Sequence, residues 1–158
     1  MNIYLASPLG FAESTRLFMS GLLAVLREAG HSVFDPWSHP DGDPFARVLQ
    51  EPPEVRLAGL RQANFAVGRA NELGIRACDT VLAVLDGVDV DSGTASEMGF
   101  AYGIDKRIYG LRTDTRLAGD NEGSTVNLQV EYWIRASGGQ IFGSLADVKT
   151  WATAPTSS

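Results

Sequence analysis

Residues 80–102 read TVLAVLDGVDVDSGTASEMGFAY, and the reading of this stretch decides the fold. Thr80-Val81-Leu82-Ala83-Val84-Leu85 is an apolar, β-branched run with no polar alternation, as expected of a strand buried on both faces in a parallel sheet. Asp86 to Gly93 follow as a loop rich in Asp and Gly, and Thr94 to Tyr102 fit a helix. The same grammar extends in both directions. Asn2 to Ala6 form a strand, Ser7-Pro8-Leu9-Gly10 a loop, and a helical pattern runs from near Ala12 to a stop at Gly30. Ser32 to Phe34 make a short strand, and Glu54 to Ala77 suit one or two helices. Downstream, Arg107 to Leu111 and Ile141-Phe142 read as strands, Asn127 to Ala136 and Ser144 to about Ala152 as helices. Strands alternating with helices predict an α/β protein, a parallel sheet of about five strands covered on both faces.

The 158 residues suit a single domain over 1–152 with a tail over 153–158. A composition of 44% hydrophobic and 20% charged residues excludes disorder, collagen and coiled coil. The net charge of −6 argues against a nucleic-acid partner, whose phosphates need a basic footprint. One cysteine and two histidines are too few for a disulfide or a typical zinc site, so no metal is expected. The absence of a long apolar run argues against a membrane partner and makes the cytoplasm the expected location.

In open parallel sheets ligands bind outside the carboxyl ends of the strands, which sorts the acids. Asp79 precedes its strand and reads as a turn or cap residue; Asp86, Asp89, Asp91 and Glu97 follow it. Gly93 permits close backbone approach, Ser92 or Thr94 can cap the helix, and Glu97 falls in its first turns, where the helix dipole favours an ionised carboxylate. The alternative for Glu97 is an ordinary acid at a helix start. No closely spaced glycines follow the first strand, and neither a Walker sequence nor a Gly-x-Ser-x-Gly elbow is present. Carboxylate chemistry remains, of the kind that attacks an anomeric carbon and forms a sugar ester. The proline-rich segment Asp35 to Pro53 reads as a loop over the site, with Trp37 available for aromatic stacking or to plug the loop, and Phe11 available from the first loop.

Ile3-Tyr4-Leu5-Ala6-Ser7-Pro8, Asn71, the block Asp91 to Gly99 with Ala101, and Asn127-Leu128-Gln129 together resemble the nucleoside 2-deoxyribosyltransferase family. The likeness spans about Asn2 to Trp151, and Asp91 to Gly99 is its specific part. It implies a flavodoxin-like three-layer fold, no cofactor, and ping-pong exchange of the base between 2'-deoxyribonucleosides and free purine or pyrimidine bases. By this resemblance Glu97 is the nucleophile, Tyr4 orients it, and Asp91 accepts a hydrogen bond from the sugar 5'-hydroxyl. Asn127 is contributed by a neighbouring subunit, which implies a homo-oligomer with shared sites. Ser7 and Gly93, within the matching motifs, count among the substrate-binding residues. Several members carry aspartate where Asn71 stands; an amide can hold a base edge but has no acidic proton, leaving solvent or an acid such as Asp86 to assist the departing base. Two other functions compete. A related 2'-deoxynucleoside 5'-monophosphate N-glycosidase delivers the sugar to water, but Asp91 would repel its phosphate; a non-catalytic nucleotide-sensing module needs no nucleophile.

Overall fold

The computed structural model describes residues 1–39 and 42–155. Its strands are β1 (Asn2–Ala6), β2 (Ser32–Phe34), β3 (Thr80–Val84), β4 (Arg107–Leu111) and β5 (Ile141–Phe142). The helices are α1 (Arg16–Glu28), α2 (Pro53–Ala77), α3 (Ser92–Gly103), α4 (Leu128–Ala136) and α5 (Leu145–Thr153). All strand pairs are parallel, in the order β2-β1-β3-β4-β5, the flavodoxin-like arrangement. Tyr4 pairs with Phe34 on one side and Val81 on the other, so β1 and β3 meet at the point where the strand order reverses.

Side-chain alternation splits the core into two halves. Ile3, Leu5, Leu82 and Val84 face Leu22 and Leu26 of α1 and Val148 of α5. Tyr4, Ala6, Val81 and Ala83 face Ile75, Met98, Ala101, Val130 and Ile134 on α2, α3 and α4. Burial on both faces is what an unbroken apolar run such as β3 requires, since neither side of the strand meets water.

Several boundaries differ from the sequence expectation. The first helix begins at Arg16, because Glu13–Thr15 form a 3-10 turn in which Thr15 Oγ1 bonds the carbonyls of Leu9 and Ala12. The 54–77 region is one continuous helix that starts with Pro53 in its first turn. Its periodicity is blurred because only Gly74 and Ile75 of its residues are buried, while Val55, Leu57, Phe65 and Leu73 stay exposed. Gly74 is needed for contact with the sheet: a Cβ there would stand 2.8 Å from the Phe34 ring, which itself stacks on Tyr4. The tail expected from 153 differs at Thr153, which closes α5, and residues 156–158 lie outside the described residues.

At the amino ends of the strands Asp79 accepts the Asn2 N–H at 2.7 Å, a structural tie far from the carboxyl-end crevice. At the carboxyl ends the buried Arg112 donates to the carbonyls of Leu85, Gly87 and Arg116, which pins the loop that follows β3. Among the described residues no helix is long and apolar enough to cross a membrane.

Candidate active site

A cleft of about 400 Å³ opens at the carboxyl ends of β1 and β3. Ser7 enters it from the end of β1, Trp37 and His39 from the loop after β2, Asn71 from α2, and Asp91 and Glu97 from the start of α3. Each group comes from a segment that follows a strand or from a helix packed across the crevice, as the reversal of strand order dictates.

Asp91 is the N-cap of α3, and its Oδ2 accepts the Thr94 N–H at 2.9 Å. The cap is therefore Asp91 itself and not Ser92 or Thr94. Gly93 makes this possible, since a Cβ there would lie 3.1 Å from Asp91 Oδ2. Glu97 sits in the second turn of α3. Tyr4, fully buried in β1, donates its hydroxyl to Glu97 Oε1 at 2.7 Å, and Asn71 Nδ2 donates to the same oxygen at 3.3 Å.

The electrostatics differ from the helix-dipole expectation. Burial raises the Glu97 pKa above the ordinary carboxylate value, the Tyr4 hydrogen bond works against that rise, and the nearby Asp91 charge adds to it. The dipole's influence fades beyond the first helical turn, whereas desolvation acts wherever water is displaced. Tyr4 is pushed far above its usual range by burial and then by the Glu97 charge, so its hydroxyl stays a proton donor.

Trp37 closes one wall. Its indole Nε1 donates to the Ser7 carbonyl at 2.7 Å, and its backbone N–H is held by Asp35. The ring lies on Gly10, where a Cβ would come within 2.0 Å, and Phe11 meets it edge-on at 4.4 Å. Phe11 is 76% exposed at the mouth of the cleft. The Ser7 hydroxyl accepts the Leu9 N–H and turns the chain after β1, while keeping its own proton to donate.

Asp86 requires a correction. Its carboxylate accepts the Thr113 and Asp114 N–H groups and the Thr113 hydroxyl, tying the end of β3 to the end of β4, and it does not line the cleft. Its oxygens are thus engaged by three donors away from the cleft. Asn127 caps α4 by accepting from Gln129 and Val130, and it lies outside the cleft that holds Glu97 of its own chain.

Sequence reasoning missed His39, Phe45 and Val67, which also line the cleft. His39 and Phe45 lie in the proline-rich segment read as a loop over the site, where no periodicity marks which side chains turn inward. Pro40 and Asp41 of that segment fall outside the described residues. Among the described residues no three His, Cys, Asp or Glu side chains converge to hold a metal ion.

Residues 3–129 match the family described as Nucleoside 2-deoxyribosyltransferase. A 2-deoxyribosyltransferase from Bacillus psychrosaccharolyticus superimposes with a TM-score of 0.67 at 25% identity, over 94% of this chain and 90% of that one. A conserved protein from Enterococcus faecalis gives 0.72 at 21% identity over 96% of both chains. A CMP N-glycosidase from Clostridium botulinum gives 0.58 at 18% identity, also over 96% of both. These last two likenesses are of fold alone. No curated protein sequence matches the chain significantly.

Proposed function

The chain belongs to the nucleoside 2-deoxyribosyltransferase family, and from that premise we propose that it exchanges the base of 2'-deoxyribonucleosides through a deoxyribosyl ester on Glu97. The observation that carries this reading is that both donors to the Glu97 carboxylate, Tyr4 and Asn71, converge on Oε1. The lone pairs of Oε2 are left for attack, and no cation pairs with the carboxylate among the described residues.

In the proposed first half-reaction Oε2 bonds to C1' as the glycosidic C–N bond breaks, and its electron pair leaves with the base, which takes up a proton. An incoming base then attacks C1', loses a proton and regenerates the carboxylate. Asn71 keeps a second N–H and its carbonyl for a base edge, and Trp37 and Phe11 offer aromatic surface to the base. Asp91 accepts the 5'-hydroxyl. Its negative charge disfavours a 5'-phosphate, which separates this chain from a nucleotide N-glycosidase of the kind represented by the Clostridium botulinum neighbour.

Asn127 completes the site of a neighbouring subunit in a homo-oligomer. Leu128 and Tyr132 beside it on α4, and Leu57, Phe65 and Leu73 on α2, supply exposed apolar surface for such an assembly.

The direct test is to trap the ester with a 2'-fluoro-substituted nucleoside, whose fluorine destabilises the oxocarbenium-like transition state. Mass spectrometry of the digested protein should find the adduct on Glu97. An adduct on another residue, or none under turnover conditions, refutes the covalent route.

Tyr4→Phe supplies a second expectation. The ring still stacks on Phe34, so the fold is retained, but Glu97 loses its shorter hydrogen bond. A charge-assisted hydrogen bond is worth about 1.5–3 kcal/mol, so kcat should fall about 10–100-fold. Because that bond also holds the Glu97 pKa down, the acid limb of the kcat/KM profile should move to higher pH. A pH profile identical to that of the wild type would show that Tyr4 does not tune the nucleophile.

A further inference from the structure

The exchange proposed above requires a proton for the departing base, and most ionisable groups near Glu97 cannot give one. Asn71 is an amide, and Asp86 is engaged by β4 donors outside the cleft. The Tyr4 hydroxyl is spent on Glu97, whose own oxygen must attack. Asp91 accepts the Thr94 N–H and is assigned above to the sugar 5'-hydroxyl. Among the described residues one ionisable side chain of the cleft is left, His39, which lines it together with Asn71 and Trp37.

Resting on that reading of the reaction, we propose that His39 is the general acid for the departing base and the general base for the incoming one. In the first half-reaction the imidazolium N–H proton passes to a ring nitrogen of the base as the C1'–N bond breaks and its electron pair moves onto the base. Glu97 Oε2 meanwhile bonds to C1', and His39 is left neutral. In the second half-reaction neutral His39 takes a proton from the incoming base as its nitrogen bonds to C1' and the ester C–O bond breaks, which restores the starting state. Histidine is the side-chain type able to do both near neutral pH.

The surroundings suit a ring that cycles between charge states. His39 is solvent-exposed, so protons can equilibrate with water. It also borders a hollow lined by Arg16, Asp35 and Asp43, and its charge is felt by the Asp35 carboxyl, whose pKa burial raises and His39 helps to lower. The charged groups that line the two cavities with it are Asp35, Asp43 and Arg16 in one and Asp91 and Glu97 in the other.

The test compares wild type, His39→Gln and Glu97→Gln on two leaving groups. One is the natural 2'-deoxynucleoside turned over fastest, the other 7-methyl-2'-deoxyguanosine, whose cationic base departs neutral with no added proton. His39→Gln should lower kcat on the natural substrate by about 100-fold or more and on the methylated one by less than about threefold. On the natural substrate the wild-type kcat should show a basic limb, falling as pH rises, and His39→Gln should lack that limb. Equal losses on both substrates, or no loss on the natural one, overturn the assignment; should the wild type not cleave the methylated nucleoside, an unchanged basic limb in His39→Gln overturns it. Glu97→Gln keeps the two ideas apart: it should lose both substrates alike, and retained turnover in that variant refutes the covalent reading itself, whatever His39 does.

Discussion

Glu97→Gln is expected to abolish base exchange, with kcat down by about a factor of 10³–10⁵, while the folded protein should be at least as stable as the wild type at neutral pH. The activity loss follows from removing the only oxygen that the Tyr4 and Asn71 donors leave open to attack C1'. The stability result follows from burial. The Glu97 pKa is raised in the folded chain, chiefly by desolvation, so the folded state binds its proton more tightly than the unfolded state does. Stability from this group is then greatest below the ordinary glutamate pKa and declines as pH rises through the raised folded value. At neutral pH the ionised side chain is a cost, and a neutral amide of the same shape, still able to accept from Tyr4, removes it. Thermal unfolding of the two proteins at pH 7 and near pH 4 checks the sign: any advantage of the glutamine variant should shrink at the lower pH. A variant that unfolds readily at pH 7 would mean that Glu97 is a structural residue, and unchanged exchange would overturn the covalent route through Glu97.

Asp91→Ser is expected to redirect the enzyme. Serine is as good an N-cap as aspartate, so α3 should keep its start and Glu97 its position. The substitution removes a carboxylate from the 5' end of the cleft. A hydrogen bond to a charged acceptor is worth about 1.5–3 kcal/mol, so kcat/KM for 2'-deoxynucleosides should drop by about 10–100-fold. Turnover of 2'-deoxynucleoside 5'-monophosphates should rise, because repulsion on the order of a few kcal/mol between carboxylate and phosphate is relieved in a half-buried site. A third readout comes from the pKa coupling: the Asp91 charge raises the Glu97 pKa, so its loss should shift the acid limb of the rate profile to lower pH. If nucleosides and nucleotides respond in the same ratio, Asp91 acts only as a cap.

Much of this arrangement is legible in the chain itself. An apolar run such as Thr80 to Leu85 has few alternatives to a strand buried on both faces, and the acids that follow it fall at the ligand-binding end of any parallel sheet. Tyr4 and Glu97 both lie in motifs that resemble a known family, and the cleft brings them within 2.7 Å. Helix ends were less readable, because Thr15 and Asp91 use side-chain bonds to set boundaries that periodicity does not mark.

The sequence by itself determined the layered α/β fold and the segment carrying the candidate nucleophile, because both are local: strand burial shows in the run of side chains, and the segment after a strand shares that strand's end. The tertiary structure alone decided which acids serve the cleft. Asp86 and Asp91 follow the same strand, yet Thr113 and Asp114, brought alongside by β4, engage the first, while the second faces the cavity. It also decided the upward shift of the Glu97 pKa and the entry of His39 into the wall. Desolvation and hydrogen bonding depend on what packs around a group in space, and neighbours along the chain do not record that.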